Sequence, residues 1–157
     1  MERKVEKSNI MVRLDRNDFP AYFRQTLDYV FLDVVEVEPG ERADGYLKLV
    51  PEAWYFPMHF PGNPVLPGVF QMECLQQTGG LILNTMEGRR EERLYFCACQ
   101  DVRIHRKAVP GDCLHSEVSL LRFRRGIAKF QGTLYVNDAV SCQMQFALAD
   151  PDEVSVL

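Results

Sequence analysis

Side chains alternate most cleanly near the end of the chain. Val140, Cys142, Met144, Phe146 and Leu148 take every second position, with Ser141, Gln143 and Gln145 between them. A period of two belongs to a strand with one face in the core and the other in water. Residues 127–136 read as a second strand, joined to the last by a turn at Asn137-Asp138, and residues 114–124 as a third, with Leu114, Val118 and Leu120 on one side. A fourth covers residues 93–104 and leads to a turn at Val109-Pro110-Gly111-Asp112. Nearer the start, residues 29–38 are rich in β-branched and aromatic side chains, Pro39-Gly40 turns the chain, and residues 45–50 return. Residues 17–27 have room for one short helix begun or broken at Pro20. The polar residues 1–16 read as a loose lead-in.

The pattern changes at the centre. The segment HFPGNPVLPG, from His59 to Gly68, holds Pro61, Pro64 and Pro67. Each proline fixes its own φ and pushes the preceding residue towards extended geometry, so this path is stiff and non-helical. The next nineteen residues, VFQMECLQQTGGLILNTME, are apolar on nearly every side. That pattern predicts a helix buried almost all round and roughly 28 Å long. Gly79-Gly80 lowers its intrinsic propensity, so close packing against a neighbour compensates. One such helix and about six antiparallel strands must share a core, which predicts an α+β fold with the sheet wrapped around the helix.

At 157 residues the chain is expected to be a single domain, 1–157. Its net charge of −4 argues against general nucleic-acid binding. No apolar run approaches the ~20 residues of a membrane span, and the charged MERKVEKSNI start has no signal-peptide pattern. Five cysteines without a C-x-x-C pair predict neither a disulfide framework nor a metal site, and fit a reducing cytoplasm.

Of the three histidines, His59, His105 and His115, only His59 is followed by a rigid path running into a helix start. The first N–H groups of that helix, beginning at Gly68, have no intrahelical partners. Lacking a side chain, Gly68 lets a carbonyl approach its N–H closely, which is what an oxyanion donor requires. Glu73 follows one to two turns later in an apolar helix, with Gln76, Gln77 and Gly80 on its face. Burial raises the pKa of such a carboxyl and the helix N-terminus lowers it; a raised value suits a general acid. Alone, either residue reads as structural, a backbone-bonded core histidine and a salt-bridged glutamate; joined through Gly68 they read as a site.

His59-Phe60-Pro61-Gly62, Pro64-Val65, Pro67-Gly68-Val69 and Glu73 with Gln77 resemble the signature of the FabZ-type 3-hydroxyacyl-acyl carrier protein dehydratases. The likeness resumes at Tyr95-Phe96, Arg103, Arg106 and 109–112, and runs through 124–126, about three-quarters of the chain. Departures at Leu32-Asp33, residues 50–54, Cys74 to Gln76, Gln100 and Lys107 mark a divergent member. The resemblance implies a hot-dog fold and a homodimer, often assembled as a trimer of dimers, with active sites across the dimer interface. It implies that His59 removes the α-proton of a thioester, and that Glu73 of the opposite subunit protonates the departing hydroxyl or holds the water. The Gly68 N–H then polarises the thioester carbonyl, the Val65 carbonyl fixes the His59 tautomer, and Gln77 orients Glu73. No metal or organic cofactor is implied, the substrate arriving on the phosphopantetheine of acyl carrier protein or coenzyme A. Arg103, Arg106 and Lys107 are one basic cluster that could dock the acidic carrier. Rival readings are a hot-dog thioesterase, which would not explain HFPG, and a non-catalytic acyl-carrier or lipid-binding relative. Cys97 and Cys99 are expected to be small core residues, and Cys74 no nucleophile.

Overall fold

The computed structural model describes residues 10–154. It contains strands β1 (Val12–Asp15), β2 (Val34–Glu38) and β3 (Arg42–Lys48), helix α1 (Gly68–Asn84), then β4 (Tyr95–Ile104), β5 (Cys113–Arg124), β6 (Ile127–Val136) and β7 (Ala139–Ala149). The seven strands form one sheet in the order β1-β2-β3-β5-β6-β7-β4, every neighbouring pair antiparallel. Helix α1 lies against β2, β3, β5, β6 and β7. This is the α+β, hot-dog arrangement. The sheet has one strand more than expected, because Val12–Asp15 pairs with β2 although it falls in the supposed lead-in. The rest of that lead-in, residues 1–9, lies outside the described residues. No helix among the described residues is long and apolar enough to cross a membrane.

Apolar packing explains how a helix with two adjacent glycines holds. Leu75, Leu81, Ile82 and Leu83 are fully buried, as are Phe130 and Leu134 of the sheet. A Cβ at Gly79 would stand 3.0 Å from Phe146 Cζ, and one at Gly132 would stand 3.1 Å from Leu75 Cδ2. The missing side chains let helix and sheet approach closely, and the buried contacts offset the ~1 kcal/mol loss of propensity per glycine. At the Pro39-Gly40 turn the chain takes φ +74° at Gly40, whose N–H bonds the Ile82 carbonyl at 2.9 Å and ties the β2–β3 hairpin to α1.

Four local expectations change. The short helix over 17–27 is only a 3₁₀ turn at Phe19–Ala21, containing Pro20. Residues 29–33 do not join β2. Arg16 donates to the Leu27, Val30 and Leu32 carbonyls at 3.0, 3.2 and 3.0 Å, and Gln77 bonds Tyr29 and Phe31, so side chains occupy backbone groups a neighbouring strand would use. Ser141 is buried rather than solvent-facing, because the β6–β7 register slips between Leu134 and Tyr135. Cys97 and Cys99 are exposed, not core, since β4 is a sheet edge in the single chain.

Candidate active site

The loop before α1 holds His59 by its own backbone. The Val65 N–H donates to the His59 carbonyl at 2.8 Å. In return the imidazole Nδ1 lies 2.8 Å from the Val65 carbonyl oxygen. A carbonyl can only accept, so Nδ1 carries the proton and Nε2 is left as the basic nitrogen. A tight turn supports this pair, with Phe60 and Asn63 exchanging backbone hydrogen bonds of 2.9 and 2.8 Å across Gly62. The Phe60 ring stacks on the imidazole at 3.9 Å. Leu66 N–H bonds the Ala108 carbonyl at 2.8 Å, anchoring the loop to the segment after β4. His59 shares a cavity of about 290 Å³ with Val65, Gly68, Gln71, Ile104 and Arg106. As the first residue of α1, Gly68 contributes an N–H with no partner among the described residues.

Glu73 is governed by burial and one amide. Gln77, one turn later, accepts the Phe31 N–H at 2.7 Å and donates to the Tyr29 carbonyl at 2.7 Å and Glu73 Oε1 at 3.1 Å. The Phe31 N–H and Tyr29 carbonyl together permit only one amide orientation. Burial lifts the Glu73 carboxyl above its ordinary pKa, and the Gln77 hydrogen bond pulls it down. The Tyr29 phenol is also raised, by burial and then by the Glu73 charge. Glu73, Gln76, Gln77 and Gly80 line a second cavity of about 370 Å³ together with Tyr22 and Leu94.

The structure thus gathers His59, Val65 and Gly68 in one place and Glu73 with Gln77 in another, and within one chain the two sets line separate cavities. Arg106 and Lys107 line the His59 cavity; Arg103 lines neither, and all three are exposed without an ion pair among the described residues. Cys74 is fully buried and its thiol pKa is raised, which suits packing rather than nucleophilic attack. Gln71 was not singled out from the sequence, yet it is buried in the wall of the His59 cavity. The available signal was a glutamine one turn inside an apolar helix. Asp44, His115 and Glu117 place ligand atoms within 4.8 Å of one another, the only potential metal-holding group among the described residues. They lie on β3 and β5, line neither cavity, and His115 Nε2 is already paired with Asp44 Oδ1 at 2.7 Å.

A family model for the FabA-like domain matches residues 28–145. The 3-hydroxyacyl-[acyl-carrier-protein] dehydratase FabZ of Chloroflexus aggregans is 40% identical over 120 residues, covering 75% of this chain and 83% of that protein. The protein of the same description from Bacillus licheniformis is 38% identical over 143 residues, covering 89% and 99%. Among solved structures, the dehydratase heterocomplex ApeI:P from Xenorhabdus doucetiae aligns with a TM-score of 0.71 at 17% identity, over 84% of this chain and 90% of that one. A hypothetical thioesterase with coenzyme A from Streptococcus pneumoniae aligns with a TM-score of 0.53 at 10% identity, over 71% and 79%. The last two likenesses concern the fold alone.

Proposed function

We propose that this chain, which belongs to the FabA-like family and within it to the FabZ-type 3-hydroxyacyl-[acyl-carrier-protein] dehydratases, converts 3-hydroxyacyl thioesters to trans-2-enoyl thioesters with loss of water. His59 Nε2 takes the α-proton while the Gly68 N–H stabilises the enolate-like oxygen. Glu73 of a second copy protonates the β-hydroxyl, and the C–O bond breaks to release water. Afterwards the imidazolium and the carboxylate exchange one proton through water, so the cycle balances without an oxidant, a reductant, a metal or an organic cofactor. The substrate arrives on the phosphopantetheine arm of acyl carrier protein, whose acidic surface meets Arg103, Arg106 and Lys107. We assign this activity to a homodimer acting in the cytoplasm, with 1–157 as one domain.

The observation that carries this reading is the His59 ring, held by a 2.8 Å bond to the Val65 carbonyl in the tautomer a base requires. Two further features support the dimer. Acid and base line separate cavities of one chain, as expected if each site is completed by a partner. Strand β4 is an uncovered edge bearing exposed Tyr95, Phe96 and Ile104, a template for pairing with another strand. The thioesterase reading needs a helix carboxylate to activate water, but gives no task to the oriented His59. Mixing His59→Ala with Glu73→Gln protein tests the whole scheme. Each variant alone retains about 1% of wild-type activity or less, and re-association restores about one quarter of it, since half the dimers are mixed and each has one intact site. Failure to recover activity in demonstrably mixed dimers overturns the shared site. Release of free thiol instead of enoyl product overturns the dehydratase reading.

A further inference from the structure

Outside the residues already assigned roles, one polar network is both fully buried and attached to the site. Gln71 and Ser141 are 1% and 0% exposed. Ser141 Oγ donates to Gln71 Oε1 at 2.7 Å and also lies 3.0 Å from the Arg106 carbonyl oxygen, to which Gln71 Nε2 donates at 2.9 Å. Because that carbonyl can only accept, the amide has one orientation, with its oxygen towards the hydroxyl. Three elements meet here. Gln71 lies in the first turn of α1, one turn beyond Gly68 and on the same face. Ser141 is the extra residue of the β7 bulge, and such bulges re-aim side chains. Arg106 belongs to the segment that leaves β4, whose His105 N–H bonds the Ser141 carbonyl at 2.6 Å. The same segment receives the His59 loop through the bond from Leu66 N–H to the Ala108 carbonyl.

We infer that Gln71 and Ser141 form a strut that positions the Gly68 N–H against the 104–108 wall of the His59 cavity, making Gln71 a positioning residue for the dehydration. This inference rests on the reading above. The helix start supplies the oxyanion donor and the 104–108 segment supplies the opposite wall, so the strut sets the spacing between them. An oxyanion donor acts only when held at hydrogen-bond distance from where charge develops. Gln71→Met keeps the volume but removes both bonds of Gln71, so α1 loses its tie to the 104–108 segment while the Ser141 hydroxyl turns to the Arg106 carbonyl 3.0 Å away. Gln71→Glu keeps the acceptor for Ser141 and regains the donor to Arg106 only when protonated.

Two measurements on the full-length protein test it. Amide hydrogen exchange in Gln71→Met speeds up together in residues 66–72 and 104–108, and stays at wild-type rates in β5 and β6. Steady-state dehydration by the same variant shows kcat at least about tenfold lower per folded protein, with KM nearly unchanged. Gln71→Glu recovers towards wild type as pH falls, whereas Gln71→Met runs parallel to wild type at every pH. Where Gln71→Met does not fold, Ser141→Ala carries both measurements with smaller effects. Unchanged exchange in the two segments overturns the strut whatever the activity. Faster exchange with wild-type kcat shows mere structural support and overturns the positioning role. A wild-type protein unable to dehydrate any 3-hydroxyacyl thioester overturns the functional reading itself, and the positioning role with it.

Discussion

The two cavities control their reactive groups by different means. Around His59 the work is done by backbone: a carbonyl holds the ring, reciprocal bonds close the loop, and a helix start offers an N–H. Around Glu73 it is done by side chains and by exclusion of water, with one amide clamping the carboxyl and burial raising its pKa. Backbone control fixes direction, which a base needs in order to meet a C–H bond. Control by burial pushes the carboxyl towards its protonated form, the direction the proposed acid needs. Substitutions near Glu73 are therefore expected to change pH dependence, and those near His59 that add no titratable group to change rate without moving it.

The largest effect that can break this contrast is removal of either group. His59→Ala and Glu73→Gln each lower kcat by ~10²–10⁴-fold while leaving far-UV circular dichroism and oligomer size unchanged. Full activity in either variant ends the assignment. Next is Gln77→Met, which deprives the buried Phe31 N–H and Tyr29 carbonyl of their partner. Each such loss costs about 1–3 kcal/mol, so the denaturation midpoint falls clearly. The same variant removes the hydrogen bond that favours the charged carboxylate, moving the alkaline limb of the kcat profile to higher pH. Reversing the charges of Arg103, Arg106 and Lys107 raises KM for a carrier-bound substrate several-fold more than for a short thioester mimic. Equal increases for both reject docking at that cluster.

The smallest effect is on stability. The Glu73 carboxyl has a folded pKa above its unfolded value, so the fold is favoured most at low pH. Stability is lost as pH rises through the interval between the two values. Glu73→Gln removes that loss, so its Tm exceeds that of wild type at about pH 7 and the difference disappears near about pH 4. A constant difference across that range shows that burial does not set the protonation of this carboxyl.

Legibility of the fold followed how local its causes are. The β2–β3 hairpin, α1 and the β5–β6–β7 meander depend on periodicity and on turns such as Pro39-Gly40 and Asn137-Asp138, all contiguous in sequence. Strand β1 was hidden because its alternation, VRLD, runs for only four residues inside a charged stretch and becomes a strand only through pairing with β2. Residues 29–33 have strand-like composition, but Arg16 and Gln77, distant in sequence, take their backbone groups. Within the site, His59, Gly68 and Glu73 stood out by spacing and by resemblance. The Gln71–Ser141 pair did not, since a register slip is invisible to simple alternation and puts a serine where a solvent-facing residue is expected.

The close seating of α1 on the sheet limits how this protein can diversify. With Gly79 against Phe146 and Gly132 against Leu75 there is no slack on the inner side of the helix, so a larger side chain there would mean prising the core apart. Gly80 faces the other way, where an added Cβ meets Leu94 and Leu148 at ordinary contact distances of 3.7 and 3.9 Å. Room for a larger side chain lies instead at Gly80 and Gln76 and along the segments 22–25 and 92–95, which line the Glu73 cavity, so that cavity can change shape from its outer side while the scaffold stays as it is.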